Sequence, residues 1–453
     1  MASNHMDALN NLSFRSHNAT TIKLLVVGVL IFVCLVPSLF VFILLSERTN
    51  RQEEAKKEIT DKWGSNQLII GPILSLPYHK SSVDPQGFIR ESSGVISVLP
   101  KKLNHNVSIE PEIRSYGIFE AVVYNTRIKG DGVFEMLDFS DTSVRLNEIQ
   151  WDKAYISMGI TDTRGITQQI NLKWNNADIA FEPGSKNPIA GASGVYAFVP
   201  LDTAKKTFDF VYTFDIRGSE KLEFLPLGGE TKVDIKSNWS SPSFTGAYLP
   251  NERDIARGFS ARWSVSSFGR SYPQQWVDSE VNAQMLLDSS FGVSLIQGVD
   301  FYTKINRTIK YAIMFIAITF LAFFLFEVLS KIRIHPFQYL LVGFALALFY
   351  LLLLSLSERF GFLPAYVIST IATIGLITSY SAKVLKANKK AFIVSGLLFL
   401  LYSYLYIIVQ LEDLALLYGS ILLFVLLAVT MYLTRNIDWY QVDAGEQKQE
   451  RAV

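Results

Sequence analysis

The sequence predicts a membrane bundle of six transmembrane α-helices joined to a large β-rich, sandwich-like domain outside the membrane. Composition is the first observation: 49% of the 453 residues are hydrophobic and only 18% are charged, whereas soluble proteins carry about 25% charged residues. Second, six segments have almost no charge over the roughly 20 positions that a helix needs to cross a bilayer core. Third, the long region between the first two segments regains charges, prolines and glycines and alternates apolar with polar residues.

The first predicted transmembrane helix covers residues 22–46 and follows a tail of residues 1–21. Its apolar run is longer than the hydrophobic part of a secretory signal peptide and lacks a small-residue cleavage site, so we interpret it as an anchor. Residues 306–434 are predicted as a five-helix transmembrane region, and residues 435–453 as a second tail. The five helices are expected at about 311–330, 337–357, 361–382, 391–411 and 414–434.

Basic residues predict the orientation, because loops that stay in the cytoplasm are enriched in lysine and arginine. With the N-terminus inside, the cytoplasmic segments carry Lys23, a lysine cluster ending at Lys390 and further basic residues. Arg359 is the basic residue of the short outer loops. We therefore expect both termini in the cytoplasm and residues 47–305 on the opposite, periplasmic side.

The outer region, residues 47–305, is expected to begin as a helix and to continue as strands. Ala55, Ile59 and Trp63 share one face of a helix that extends the first span. Two later segments alternate apolar with polar residues, as half-buried strands do; they are Phe208–Ile216 and Thr231–Lys236. Further strands are predicted at Leu68–Leu76, Val95–Leu99, Ile118–Arg127, Tyr155–Ile160, Ile170–Trp174, Tyr196–Val199, Ser260–Ser266 and Gly292–Ile296.

Turn signals separate these strands and favour two packed sheets. They are Gly130-Asp131-Gly132, Pro183-Gly184 and Leu227-Gly228-Gly229. The one cysteine, Cys34, lies in the first span and is interpreted as a small apolar residue there. The outer domain therefore has no disulfide, and apolar packing must stabilise it.

Motifs that carry chemistry are missing from the sequence. It has no phosphate-binding G-x-x-x-x-G-K-[ST], no G-x-S-x-G and no H-E-x-x-H motif, and one cysteine cannot form C-x-x-C. The five histidines are scattered, whereas a zinc site needs three or four converging ligands. The net charge of +1 gives no electrostatic case for nucleic-acid binding. We predict no cofactor, no metal and no enzymatic activity.

Glu327 is the carboxylate that interrupts a predicted span, and charges inside membranes commonly mark functional sites. Lys331 and His335 follow it by one and two helical turns, and Arg435 and Asp438 follow the last span on the same side. We hypothesise that these five residues form one polar cluster at the cytoplasmic face. The alternative is that each is a separate interfacial anchor, with Glu327 paired to Lys331.

Longer motifs stand at the ends of the membrane spans and in the outer domain. They are Thr308–Ile313, Phe323–Glu327, His335–Gly343, Phe349–Glu358, Leu433–Tyr440, Gly71-Pro72, Arg114–Phe119, Asp162–Ile166 and Ser237–Gly246. Together they resemble the CreD family of inner-membrane cell-envelope integrity proteins of Gram-negative bacteria. The resemblance implies production under a two-component regulatory system and a link to envelope integrity, colicin tolerance and β-lactam or cell-wall stress. It implies neither an enzymatic activity nor catalytic residues.

Three functions are consistent with the sequence. The first is a non-catalytic envelope protein that is anchored in the lipid bilayer and whose outer domain binds a periplasmic protein or a cell-wall ligand. The second is a transporter or channel that uses the bundle, with a path lined by Glu327, Glu358 or Arg435. The third is an envelope hydrolase with carboxylates in the outer domain. The oligomeric state stays open.

Overall fold

The computed structural model describes residues 19–83, 88–136, 144–191, 193–278, 280–296, 301–330, 334–385, 388–411 and 414–435. The chain divides into two compact units. The membrane unit consists of Met1–Asn50 with Val299–Val453, and the β unit is Arg51–Gly298. Helix α1, Ala19–Trp63, contributes its first part to the membrane unit and its last part to the β unit. The sequence-predicted continuation of the first span as a helix up to Trp63 is therefore confirmed.

In the residues that the structure describes, the β unit contains 17 strands and the short helix α2, Ala283–Leu287. The strands are β1 Gln67–Val83, β2 Ile89–Val98, β3 Lys102–Tyr116, β4 Phe119–Glu135, β5 Tyr155–Ile160, β6 Asn171–Trp174, β7 Ala177–Ala180, β8 Glu182–Pro183, β9 Gly194–Phe198, β10 Thr207–Ser219, β11 Lys221–Phe224, β12 Glu230–Ser237, β13 Pro242–Gly246, β14 Glu252–Asp254, β15 Phe259–Ser266, β16 Gln275–Val277 and β17 Phe291–Leu295.

These strands form two mixed sheets. The nine-stranded sheet has the order β13-β17-β11-β1-β5-β9-β8, with β2 paired to β1 and β16 paired to β2. The eight-stranded sheet has the order β14-β15-β12-β3-β4-β10-β6-β7. The pairs β1–β11 and β3–β12 are parallel. Apolar side chains of both sheets belong to one core, which includes Trp174, Trp263 and Phe224.

The predicted turn at Gly130-Asp131-Gly132 is wrong, because all three residues lie inside β4. Both glycines are needed there to make room for large aromatic side chains of β10. A Cβ atom at Gly130 would lie 2.0 Å from Cζ of Tyr212, and one at Gly132 would lie 2.1 Å from the carbonyl oxygen of Lys102 on β3 and 2.7 Å from Cζ of Phe210. A glycine pair in this strand therefore indicates close aromatic packing and not a reversal of the chain.

After the β unit, the described part of the membrane unit continues with six helices. They are α3 Phe301–Lys310, α4 Ala312–Ser330, α5 Pro336–Phe360, α6 Phe362–Val384, α7 Asn388–Gln410 and α8 Ala415–Thr434. Among the described residues, α1, α5, α6, α7 and α8 are long and apolar enough to cross a membrane. The pair α3–α4, bent by 44°, forms a sixth candidate span. The fold class is thus five to six apolar helices plus a large β-rich domain.

Small residues allow the helices of the membrane unit to approach closely, as is usual in bilayers. Cys34 of α1 is fully buried, and a Cβ atom at Gly343 of α5 would lie 2.2 Å from its Sγ atom. Cys34 therefore packs against another helix. In α6 one buried stripe contains small or short residues at Ala365, Ser369, Thr373 and Ser381.

Candidate functional site

Glu327 lies near the end of α4 and is buried, with 5% of its surface exposed. Its Oε1 atom accepts a hydrogen bond from the backbone N–H of Ile334 at 2.8 Å. Its Oε2 atom accepts one from the hydroxyl of Tyr339 at 3.0 Å. The ammonium group of Lys23, in the first turns of α1, forms an ion pair with Oε1. The carboxylate thus joins α1, α4 and the beginning of α5.

This arrangement satisfies the charge of a buried carboxylate. An unpaired charge at membrane depth costs several kcal/mol, so a buried acid is paired or hydrogen-bonded. Glu327 has a cation and two neutral donors within reach of its two oxygens. The side chain therefore does not extend to the headgroups as an interfacial anchor would. Its contacts are those of a structural ion pair that holds three elements together.

His335 and Arg435, two other residues of the hypothesised cluster, are placed differently. His335 caps the N-terminus of α5: its Nδ1 atom accepts the N–H of Phe337 at 3.2 Å, while its own N–H donates to Oε1 of Gln338 at 3.1 Å. The guanidinium of Arg435 lies 4.1 Å from the ring centre of Tyr432. Within the part of the chain that the structure describes, neither side chain contacts Glu327. Lys331 and Asp438 lie outside the described residues.

A second group of polar side chains lies near the other end of the membrane part of α1, where α5 ends. Oε1 of Glu358, near the end of α5, accepts a hydrogen bond from the hydroxyl of Tyr302 at 3.1 Å and lies 3.6 Å from Nε of Arg48. Lys23 and Arg48 are separated along α1 by about 37 Å at 1.5 Å per residue, somewhat more than a hydrocarbon core of about 30 Å. The part of α1 between the Lys23 and Arg48 ion pairs is therefore apolar and long enough to span a membrane.

The β unit contains a row of polar side chains across the outer face of its eight-stranded sheet. Ser260, Lys236, Ser108, Arg127 and Asp215 are neighbours in register on β15, β12, β3, β4 and β10. Adjacent strands are about 4.8 Å apart, so the row is about 19 Å long. It runs perpendicular to the strands, and none of its members could be recognised as neighbours from spacing along the chain.

Two depressions lie over this row and share Ser108 and Glu110 in their linings; together we call them the polar trough. The first has a volume of about 670 Å³ and the second of about 430 Å³. Besides the row, the trough is lined by the polar residues Glu110, Asn125, Thr167, Gln168, Arg217, Ser237, Asn238, Asp254 and Arg257.

Charged side chains of both signs line the polar trough. Nε and Nη2 of Arg127 donate to the two carboxylate oxygens of Asp215 at 2.8 and 2.9 Å, and this lowers the pKa of Asp215. At the other end, Lys236 and Arg257 line the same depression. Among the described residues, neither of these two cations has an ion-pair partner. The carboxylates of Glu110 and Asp254 line this depression as well, so its formal charges balance.

The end of α1 is fixed to the β unit beside the trough. The ring of Trp63 lies between the guanidinium groups of Arg114 at 3.8 Å and Arg217 at 4.4 Å. Its Nε1 atom donates to the carbonyl of Tyr124 at 3.2 Å. Such cation–π pairs contribute about 0.5–2 kcal/mol each. Arg217 thus lines the trough and also contacts Trp63, the last residue of α1.

Asp162 strengthens the same junction. Its carboxylate accepts the N–H of Ser65 at 3.0 Å and two N–H groups of the Arg164 side chain at 2.9 and 2.8 Å. The Arg164 guanidinium lowers the pKa of Asp162 well below its usual range. The motif Asp162–Ile166, which carries part of the family resemblance, therefore has a structural role where α1 meets β1.

Comparison with known proteins agrees with this architecture. The family model for the inner membrane protein CreD matches residues 19–440. The inner membrane protein CreD of Escherichia coli (strain K12) is 30% identical over 430 residues, which cover 93% of this chain and 94% of that protein. The chain therefore belongs to the CreD family of inner membrane proteins.

Proposed function

We propose that this inner-membrane protein is a non-catalytic component of cell-envelope integrity and of the response to envelope or β-lactam stress. Its membrane helices anchor the chain, and its β unit binds a ligand or partner on the periplasmic side. The polar trough is the observation that carries the proposal. Its volumes lie in the range of ligand sites, which hold about 300–1,000 Å³.

The surroundings of Glu327 support an anchoring role for the bundle. A transport path through the bundle needs ionisable groups that face a polar cavity. Glu327 is instead buried against Lys23, Tyr339 and the backbone of Ile334. Both carboxylate oxygens of Glu327 already accept from these donors, so the residue stabilises the packing of the helices. The binding role is therefore assigned to the β unit.

Filling the trough tests the proposal. Ser108 is exposed on β3 and lines both depressions, so Ser108→Trp should block the trough without entering the core. We expect this variant to fail to complement a strain that lacks the protein when growth is measured under β-lactam stress. Asn106→Trp is the matched control, because Asn106 is exposed on the same strand and face but outside the trough. Equal complementation by both variants, at equal membrane levels, would contradict a role for the trough.

The proposed orientation places both termini in the cytoplasm and residues 47–305 in the periplasm. Single cysteines at the exposed positions Ser93, Ser241 and Lys389 report the side of the membrane. In a Cys34→Ala background, an impermeant maleimide should label Ser93→Cys and Ser241→Cys in intact spheroplasts. Lys389→Cys should be labelled only after the membrane is opened. Labelling of Lys389→Cys alone in intact spheroplasts would reverse the orientation.

A further inference from the structure

Helix α3 lies at one end of the membrane unit, beside the turn that joins α5 and α6. The hydroxyl of Tyr302 donates to Oε1 of Glu358 near the end of α5. Nζ of Lys304 lies 5.6 Å from the ring centre of Phe362, the first residue of α6. Helix α4 follows after a bend of 44° and has 19 residues, so it is about 28 Å long by itself. Because this length nearly spans a hydrocarbon core of about 30 Å, α3 lies where the core meets the lipid headgroups.

The residues of α3 divide into an apolar face and a basic face. Tyr302, Ile305 and Ile309 are buried and lie within about 60° of one another around the helix axis. Three basic residues occupy a sector of about 120° on the remaining side, and the helix has no acidic residue. We call these three residues the basic stripe; they are Lys304, Arg307 and Lys310. A helix with one apolar and one basic face is suited to the interface of a membrane.

Carboxylates do not neutralise the lysines of the basic stripe. In the part of the chain that the structure describes, neither Lys304 nor Lys310 forms an ion pair. Glu358 is close to α3, but its Oε1 atom already accepts from Tyr302 and lies 3.6 Å from Nε of Arg48. Residues three positions apart on a helix have Cβ atoms about 5–6 Å apart, so two neighbours in the stripe can reach one phosphate group.

We propose that the basic stripe of α3 binds the phosphate groups of anionic phospholipids in the leaflet at this end of the membrane unit. Basic residues close to a membrane surface attract anionic lipids, whereas the phosphate of a zwitterionic lipid is neutralised by the lipid's own ammonium group. In the proposed orientation the stripe lies on the periplasmic side, so the enrichment of basic residues in cytoplasmic loops does not account for it. The inference goes beyond the anchoring role of the helices and does not depend on the polar trough.

The lipid composition beside α3 can be measured in the full-length chain. In a Cys34→Ala background, a bimane fluorophore is attached to Leu363→Cys, because Leu363 is exposed next to Phe362. The chain is reconstituted in phosphatidylcholine vesicles that contain a minor fraction of brominated phosphatidylglycerol, or the same fraction of brominated phosphatidylcholine. We expect the anionic lipid to quench bimane at least threefold more strongly, because it is enriched beside the stripe. The difference should shrink as the salt concentration rises.

Variants of the stripe show whether its charge causes the enrichment. Lys304→Gln combined with Lys310→Gln keeps both side chains polar but removes their charges, and it should lower the preference for the anionic lipid at least twofold. Lys304→Arg combined with Lys310→Arg is the matched control and should retain the preference. A second reporter at Phe392→Cys, an exposed position near the start of α7, should not respond to either pair. Equal thermal unfolding of all variants is required before the quenching is compared.

Three results would overturn the proposal. Equal quenching by both lipids in the parent chain would mean that the stripe is covered by a partner protein or by Glu412 and Asp413, which lie outside the described residues. A preference that persists unchanged in the glutamine pair would assign it to other groups. An equal loss at both reporters would show a general effect of net charge and no site at α3.

Discussion

Lys23→Met is expected to destabilise the membrane unit strongly, because it removes the cation that is paired with the buried Glu327 carboxylate. Removing one partner of a buried ion pair costs about 3–5 kcal/mol, and Glu327 is almost fully buried. The loss should appear as a lower midpoint of unfolding of the full-length chain in denaturing detergent. Lys23→Arg keeps a cation at the position and should lose much less.

Charge exchange identifies the cation that Glu327 uses. Glu327→Lys alone should be damaging, because two ammonium groups would meet inside the bundle. Adding Lys23→Glu should restore part of the lost stability, since residues in contact are energetically coupled. Arg435 is the residue of the sequence-based cluster that serves as the comparison. Adding Arg435→Glu to Glu327→Lys should not restore stability, because Arg435 does not contact Glu327 in the described part of the chain. Rescue by Arg435→Glu instead would favour the cluster hypothesised from the sequence.

The fold class follows from local patterns, and these are largely sufficient for the strands that alternate cleanly. The predicted strand Tyr155–Ile160 coincides with β5, and Phe208–Ile216 lies inside β10. Strand β3 is not predicted, because His105 occupies an inward position where alternation requires an apolar residue. The glycines of β4 are wrongly predicted as a turn because the aromatic residues that they make room for lie on another strand, β10, and cannot be seen in the local sequence.

The site residues depend on contacts that the sequence does not encode locally. Glu327 is recognisable as unusual, but its partner Lys23 comes from the first helix and is counted in the sequence only as a basic residue of the cytoplasmic side. The polar trough depends on the register of five strands, including the parallel pair β3–β12. From the sequence, Lys236 is only a polar position of a predicted strand, and Ser108 lies in β3, which is not predicted. Register is a tertiary property, so their juxtaposition requires the structure.

His105 should make the β unit sensitive to mild acid. The ring lies between the two sheets, is 1% exposed and has its centre 4.9 Å from that of Phe224. Its Nδ1 atom and the hydroxyl of Tyr212 are hydrogen-bonded at 3.1 Å. Burial lowers the pKa of His105 to about 3. The folded β unit therefore keeps this imidazole neutral at pH values at which the unfolded chain protonates it.

The direction of the pH dependence follows from these two pKa values. An unfolded histidine has a pKa of about 6.5, so below that pH the unfolded state binds a proton that the folded state does not, and stability falls as the pH is lowered towards 3. The contribution of His105 is a loss of about 1.6 kcal/mol between pH 6.5 and pH 5, since half of the unfolded histidine is already protonated at pH 6.5. Carboxylates with a lowered pKa, such as Asp162 and Asp215, lose their stabilising effect mainly below that window.

We therefore expect the free energy of unfolding of the β unit, followed by tryptophan fluorescence of the full-length chain in urea, to decline from pH 6.5 to pH 5. His105→Asn removes the titrating ring and keeps an acceptor near the Tyr212 hydroxyl. This variant should be less stable at pH 7, because it leaves a small cavity, yet its stability should change much less across the window. His79→Asn is the control, since the His79 side chain is 44% exposed on β1, and it should retain the slope of the parent chain. A slope that persists in His105→Asn would assign the acid sensitivity to groups other than this buried imidazole.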